Sequence, residues 1–189
     1  LASSAASDVY KRQILGGTDI VIELPTIYSL GSAQLFASGA IQLIKSLSID
    51  MLSFGSETTD LNQFINTAKR MDCESTQNEL RNYLNEGMSY GTAFRKALGS
   101  ESLSTPNALL GLEYIRAALK YYPNLEYIPI QRTSDHHNHN FDQELPSGTA
   151  LRQLITTANP LDMYSTLQST IPTPILDDMT HRITCLLYT

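Results

Sequence analysis

Few cysteines and no long apolar run set the first limits on this chain. Only two of its 189 residues are cysteine. Cys185 falls in a terminal segment that we interpret below as non-native, which leaves Cys73 alone and excludes an intrachain disulfide. A reducing compartment, the cytoplasm, is therefore the expected location. No apolar run approaches the roughly 20 residues that a membrane-spanning helix needs, so we expect no membrane partner.

Positive charge is also scarce. Lysine and arginine together number 13 against 19 aspartates and glutamates, and the formal net charge is −6. The basic residues are scattered along the chain rather than clustered. An acidic domain repels nucleic acid unless its basic residues form a patch. We therefore expect this segment by itself to bind nucleic acid poorly.

Both ends of the chain resemble an in-frame translation of the transposon-end adapter used in shotgun sequencing libraries. The matching stretches are residues 1–13 and residues 185–189. An ordinary polar tail and a frayed final helix are the alternative interpretation. Because both ends match one DNA element, we predict that the two tails are not native and that the chain is a fragment of a larger reading frame.

Three apolar runs predict strands. Gly17–Pro25 and Ile49–Glu57 are rich in β-branched or large apolar residues and end in polar ones, which is typical of strands buried on both faces of a parallel sheet. A third strand, Tyr127–Ile130, contains Pro129 and should be an edge strand or carry a bulge, because proline cannot donate to the ladder. Ligands bind at the carboxyl ends of parallel strands. A ligand site is therefore expected where these runs end.

The segments between the strands have helical periodicity. A helix is predicted from Leu30 to Leu47, several more between Leu61 and Leu98 as a helical insertion, and another from Pro106 to just before Tyr122. Ser147 is well placed to cap a further helix. The predicted fold class is α/β, with an incomplete Rossmann-like parallel sheet and a helical insertion.

Several short motifs occur together in a recognisable order. They are Asp19–Pro25, Phe54–Glu57, Pro106–Asn107 with Leu110–Gly111 beyond it, Arg132, and Ser147–Arg152. With them, the run from about residue 14 to residue 152 resembles the bacterial tRNA(Met) cytidine acetate ligases, a branch of the nucleotidyltransferase superfamily marked by an HxGH motif. The resemblance implies a partial nucleotidyltransferase domain over residues 14–156 and the start of a helical C-terminal region over residues 157–184.

The resemblance also implies an activity. Members of this family use ATP to activate acetate as acetyl-adenylate, and they then acetylate the wobble cytidine of elongator tRNA(Met). ATP, acetate and that tRNA are the implied partners, with Mg²⁺ left open as a cofactor. The chemistry needs orientation and charge neutralisation rather than a nucleophilic side chain, so no catalytic residue is assigned. The HxGH motif is absent from this sequence, and we expect the fragment alone to be inactive.

Five residues are expected to contact ATP because they match the family motifs. They are Gly55, Asn107, Arg132, Ser147 and Thr149. A glycine lets a nucleotide approach the backbone, an asparagine amide offers a donor and an acceptor, and an arginine can fork onto a phosphate. Residues at a helix N-terminus lie where backbone amides attract anions. A strand-end turn, helix caps and a surface ion pair are the structural alternatives.

Other interpretations stay open at this point. A different adenylyltransferase of the same superfamily that acts on a small metabolite would share the sheet and the nucleotide loops, and a non-catalytic nucleotide-binding domain would keep the sheet without the phosphate motif. His136, His137 and His139 suggest a metal site, but adjacent loop histidines rarely converge on one ion, and no metal ligand is predicted. Glu23 and Glu57 could form a carboxylate pair for acid–base work, but at strand ends they serve equally well as helix caps or as groups that orient water and cations, and we assign them no catalytic role.

Overall fold

The computed structural model describes residues 2–99, 103, 105–132, 148–157 and 160–187. The chain divides into two compact units. One comprises Leu1–Glu23 and Thr133–Thr189, and the other comprises Leu24–Arg132. Each unit has its own packing and is described separately below.

The second unit carries the sheet and most of the helices. Its elements are α2 (Thr26–Ser29), α3 (Ala33–Ser46), β1 (Met51–Ser56), α4 (Leu61–Met71), α5 (Glu74–Asn85), α6 (Tyr90–Leu98), α7 (Pro106–Tyr121) and β2 (Glu126–Gln131). The predicted helix after the first apolar run, the helical insertion and the helix that begins at Pro106 are therefore confirmed. Local signals set their ends: the Asp60 side chain caps α4 by accepting from the backbone N–H of Gln63 at 3.0 Å, and Gly99 ends α6 at φ 62°.

The sheet consists of two parallel strands in the part of the chain that the structure describes. Leu52 pairs with Tyr127, Phe54 with Pro129, and Gly55 with Ile130. β2 pairs only with β1 among these residues, so Pro129 lies on an edge strand, as predicted. The register is regular across the proline, and no bulge is needed.

The prediction that these strands are buried on both faces is wrong. One face packs on helices, with Leu52, Phe54 and Tyr127 partly buried against the core. On the other face Met51 is 45% exposed and Ile130 is 57% exposed. The reason is that the helices described in this unit pack on one side of the sheet only, and a parallel sheet needs helices on both sides to bury both faces.

The strand predicted over Gly17–Pro25 is also absent. None of these residues is in a strand, and Ile20 and Ile22 are 71% and 46% exposed. A strand needs a neighbour that completes its backbone hydrogen bonds, and no described residue pairs with this segment. The apolar, β-branched composition alone was not sufficient to form it.

The core of the second unit is centred on α7. Leu112 and Ile115 of this helix are fully buried, together with Phe64 of α4 and Phe94 of α6. The rings of Phe54 and Phe64 meet edge to face at 5.5 Å between centroids. Gly111 faces the Phe54 ring so closely that a Cβ would overlap it. This close approach fixes α7 against β1.

The first unit contains α1 (Ala2–Leu15), α8 (Gly148–Thr157), α9 (Pro160–Leu167) and α10 (Thr173–Leu187). The helix expected after Ser147 is present as α8, and Ser147 itself lies outside the described residues. Leu167 and Leu176 form a small buried cluster, and Lys11 and Arg12 of α1 both form ion pairs with Asp178 of α10.

The adapter origin of the tails stays a prediction. None of the described helices is long and apolar enough to cross a membrane.

Candidate functional site

Three of the predicted site residues lie at one end of the sheet. Gly55 is the penultimate residue of β1, Arg132 directly follows β2, and Asn107 is in the first turn of α7. The backbone N–H of Arg132 donates to the carbonyl of Ser56 at 2.9 Å. A Cβ built on Gly55 would lie 3.7 Å from Cγ of Arg132. The parallel pairing of β1 and β2 is what brings the glycine and the arginine side by side.

Among the residues that the structure describes, nothing requires a glycine at position 55. Its φ is not in the left-handed region, and the contact that a Cβ would make with Arg132 is an ordinary van der Waals distance. Gly111 is different, because there the Phe54 ring occupies the space of a side chain. Gly55 is exposed on the uncovered face of the sheet. Its missing side chain leaves open surface beside the Arg132 side chain.

The side chain of Asn107 is held in place by the carboxylate of Glu57. Its Nδ2 donates to Oε1 of Glu57 at 2.8 Å, and the Thr105 hydroxyl donates to Oε2 of Glu57 at 2.6 Å. Thr105 is the N-cap residue of α7, yet its side chain makes no cap hydrogen bond. Glu57 supplies that function instead, because the backbone N–H of Ala108 also donates to its carboxylate.

These hydrogen bonds set the charge state of Glu57. Burial acts to raise its pKa, but the hydrogen bonds from Thr105 and Asn107, and those from the backbone N–H groups of Glu57 and Ala108, outweigh burial and lower the pKa below the ordinary value. The carboxylate is therefore ionised at neutral pH. The Gln131 side chain donates to the carbonyl of Glu57 at 2.9 Å, which ties the same residue to the end of β2.

Sequence reasoning assigned Glu57 no catalytic role and left a helix cap open, and the structure makes it the cap of α7 and the centre of this end of the sheet. It joins β1, β2 and the first turn of α7 through the contacts given above. The signal available in the sequence was a glutamate directly after a predicted strand. Nothing in the pattern links it to residues 48 and 50 positions further along the chain, so only the fold identifies its partners.

The remaining predicted residues are not joined to this group by the structure. Ser147 lies outside the described residues, as do His136, His137 and His139. Thr149 belongs to α8 in the other unit, where its side chain is not among those described. Glu23 falls in the first unit and Glu57 in the second. Among the described residues, no group of three or more His, Cys, Asp or Glu side chains could hold a metal ion.

The family follows from comparison with known proteins. Residues 10–186 match the family model described as HIGH Nucleotidyl Transferase. This chain belongs to the HIGH nucleotidyltransferase family, whose nucleotide chemistry agrees with a ligand site at the carboxyl ends of parallel strands. The predicted fold class is thereby confirmed.

Comparison with individual proteins shows which members of the family the chain resembles. The chain is 38% identical over 143 residues to the tRNA(Met) cytidine acetate ligase of Fusobacterium nucleatum. The aligned region covers 76% of this chain and 36% of that protein. It is 32% identical over 162 residues to the ligase of the same name from Oceanobacillus iheyensis, covering 80% of this chain and 40% of that protein. The resemblance to this group of ligases is confirmed. The chain spans less than half the length of these relatives.

Two solved structures agree with this result. The crystal structure of Thermotoga maritima TmcAL without ligand has a TM-score of 0.77 and 25% identity, and covers 93% of this chain and 45% of that chain. The structure of the same protein bound with alpha-thio ATP has a TM-score of 0.75 and 24% identity, and covers 94% of this chain and 44% of that chain. At 24% identity, the similarity to the second structure shows a shared fold alone.

Proposed function

We propose that this chain is part of a ligase that forms acetyl-adenylate from acetate and ATP and transfers the acetyl group to the wobble cytidine of elongator tRNA(Met). One observation carries the proposal: Gly55, Arg132 and the Asn107–Glu57 pair lie together at the carboxyl ends of two parallel strands. The relatives named as tRNA(Met) cytidine acetate ligases support the choice of acyl acceptor.

In this proposal Arg132 and Gly55 receive the phosphates of ATP. The planar guanidinium can bind phosphate oxygens through two N–H groups. The bare backbone at Gly55 lets a phosphate approach the strand without meeting a side chain. Neutralising the phosphates as pyrophosphate leaves is the contribution that this chemistry asks of the protein.

Asn107 is proposed to contact the nucleoside part of ATP. A side-chain amide can donate and accept hydrogen bonds, and the bond to Glu57 fixes how the amide is turned. Ser147 and Thr149, which match the family motif, are proposed as additional phosphate contacts. Magnesium is proposed to arrive with the phosphates of ATP, since Mg²⁺ is usually held by substrate phosphates and only one or two carboxylates.

The 189 residues by themselves are proposed to bind ATP without turning it over. The HxGH motif, which in this superfamily holds the ATP phosphates, does not occur in the sequence. Orientation of the triphosphate would therefore be incomplete, and misplacement of reacting atoms is costly for rate. We also propose the cytoplasm as the site of action, where the tRNA substrate is found.

Calorimetric titration with ATP tests the site. We expect saturable binding to the wild-type chain and at least about tenfold weaker binding to Arg132→Gln, because charge-assisted hydrogen bonds contribute about 1.5–3 kcal/mol. Arg81→Gln, which alters an exposed arginine of α5, is the matched control and should bind ATP as the wild type does. Equal losses in both variants would show that the effect is one of overall charge and not of this site.

Turnover tests the reaction. Purified chain is incubated with ATP, acetate and a transcript of elongator tRNA(Met), and release of pyrophosphate and acetylation of the tRNA are measured. We expect ATP binding without either product. Pyrophosphate release that depends on acetate would contradict the proposal that the HxGH motif is required. Release that depends instead on a small metabolite would favour a different adenylyltransferase.

A further inference from the structure

A cavity of about 290 Å³ lies in the Leu24–Arg132 unit near the starts of three helices. Its walls come from the N-terminal turns of α3, α6 and α7. Ala33, Pro106 and Leu109 supply apolar surface, and Gln34, Tyr90 and Glu113 supply polar groups. Pro106 precedes Asn107 on α7, so the cavity borders the turn that presents Asn107 to the proposed ATP site. A mostly apolar cavity with a few polar groups is the usual form of a small-molecule site.

The acidic group of this cavity is well ordered by its neighbours. Glu113 is only 6% exposed, and Nη1 of Arg116 lies 3.4 Å from its Oε2. The stronger contacts of Arg116 go to Asp72, at 2.6 and 2.8 Å. Tyr90 is hydrogen-bonded to Glu113. The carboxyl group is therefore fixed in place, and its negative charge is partly balanced by an arginine that Asp72 shares.

The charge balance restricts the ligand. An anion would be repelled by the negative charge of the Glu113 carboxyl group. A cation would gain less binding energy there than at an unpaired carboxylate, because Arg116 already contacts the Glu113 carboxyl group. An uncharged molecule that donates an N–H to the carboxyl group meets neither cost. Burial raises the pKa of Glu113, with Arg116 acting in the opposite direction, so the group is also closer to neutral than an exposed glutamate.

The side chains of the walls suit a flat ring. Tyr90 is 44% exposed and can offer its ring for stacking, while Leu109 and Pro106 provide apolar contacts. Proteins that bind an unstacked base use this combination of an aromatic or apolar wall with hydrogen bonds to the base edge. Adenine, guanine and cytosine all carry an exocyclic amine, and cytosine is the acceptor base of the proposed function; glutamate or aspartate is the usual acceptor for its amine.

We propose that this cavity binds the acceptor base, a cytosine with its exocyclic amine directed at the Glu113 carboxyl group. The proposal rests on the proposed function, since it assigns a binding site to the acyl acceptor of the same reaction. Tyr90 and Leu109 hold the faces of the ring, and Glu113 selects the amine. Because Pro106 lines the cavity and Asn107 follows it, the base would bind at the same end of α7 as the residue proposed to contact ATP.

Ligand-observed NMR titration of the full 189-residue chain tests the proposal with cytidine and uridine as probes. Uridine is the matched control, because it carries a carbonyl where cytidine has the amine. We expect saturable cytidine binding that is at least about fivefold tighter than uridine binding, as one good base-edge contact provides. Absence of cytidine binding, or equal binding of the two nucleosides, would overturn the proposal.

Variants locate the binding. Leu109→Phe fills the cavity and should abolish cytidine binding, whereas Leu30→Phe, at a leucine that is 83% exposed and is not part of the lining, should not. Should Leu109→Phe fail to fold, Ala33→Met decides the question, since it blocks the cavity from an exposed position at the start of α3. Cytidine binding that survives a folded cavity variant would rule out this site.

Titration of the same samples with ATP separates the two proposals. Loss of cytidine binding in Leu109→Phe or Ala33→Met with ATP binding retained supports both the cavity and the proposed function. ATP binding by a wild-type chain that does not bind cytidine would overturn the cavity alone. Cytidine binding with no ATP binding would overturn the proposed function and leave the cavity as a base-binding site.

Discussion

Nδ2 of Asn107 lies 2.8 Å from Oε1 of Glu57, and this hydrogen bond joins the end of β1 to the start of α7 across 50 residues of sequence. It fixes the direction in which the amide is turned, because only the N–H side of an amide can face a carboxylate. Glu57 therefore determines which atoms of Asn107 a nucleotide would meet. It also caps α7, so the stability of the helix and the geometry of the site depend on one side chain.

The first prediction concerns this cap. Glu57→Ala should lower the free energy of unfolding by about 1–2 kcal/mol, because loss of an N-cap typically costs about that much and the Thr105 hydroxyl loses its acceptor. Urea denaturation measures the change. Glu79→Ala, which alters an exposed glutamate of α5, should stay within about 0.5 kcal/mol of wild type. If the two variants were equally stable, Glu57 would not be the cap of α7.

The second prediction concerns pH, and two glutamates should behave in opposite ways. The pKa of Glu57 is lowered in the folded state from the ordinary value of 4.5, so its contribution to stability is present above 4.5 and is lost as the pH falls through its folded pKa. The pKa of Glu113 is raised. Its contribution is present below 4.5 and is lost as the pH rises through its folded pKa.

Urea denaturation from pH 3 upward tests these signs in Glu57→Gln and Glu113→Gln. The stability difference between wild type and Glu57→Gln should grow as the pH rises from acid, in favour of the wild type. The difference for Glu113→Gln should change in the opposite direction across its own pKa. Parallel curves for the two variants would contradict the assigned environments.

The third prediction separates a structural glycine from a ligand-facing one. Gly111→Ala should destabilise the fold by about 1–3 kcal/mol, as overpacking of a core does, because its Cβ would overlap the Phe54 ring. Gly55→Ala should leave stability nearly unchanged and weaken ATP binding. Gly91→Ala, in α6 with no atom near the new Cβ, is the control and should raise stability by about 0.5–1 kcal/mol. Thermal unfolding with and without ATP reports both properties.

The fourth prediction concerns the geometry of the arginine. Arg132→Lys keeps the positive charge and loses the planar fork, so its affinity for ATP should fall between those of the wild type and Arg132→Gln. Calorimetric titration at low and moderate salt measures this. The remaining affinity of the lysine variant should depend on salt, because a point charge is screened. A lysine variant indistinguishable from wild type would mean that Arg132 makes no bidentate contact.

Much of this fold could be predicted locally. The helices of the second unit follow from apolar residues at spacings of three and four together with caps such as Asp60 and Gly99, which act within a turn or two of the chain. The placement of Gly55, Asn107 and Arg132 at one end of the sheet could be anticipated, because carboxyl ends of parallel strands share an edge. Their contacts with ATP stay a prediction.

Sequence reasoning left Glu57 open as a helix cap but did not identify its partners. A glutamate after a strand has many possible partners, and the choice of Thr105 and Asn107 depends on how α7 packs against β1. That packing rests on Gly111 and Phe54, whose close contact is a property of the assembled core. No periodicity in the sequence encodes such a contact.

The sequence by itself determined the helices and the position of β1 and β2 along the chain. The tertiary structure decided whether an apolar run becomes a strand and which faces are buried. Gly17–Pro25 and Ile49–Glu57 have similar composition, yet only the second contains a strand, because only there does a neighbouring segment complete the backbone hydrogen bonds. Helices satisfy those bonds internally, whereas strands depend on distant residues.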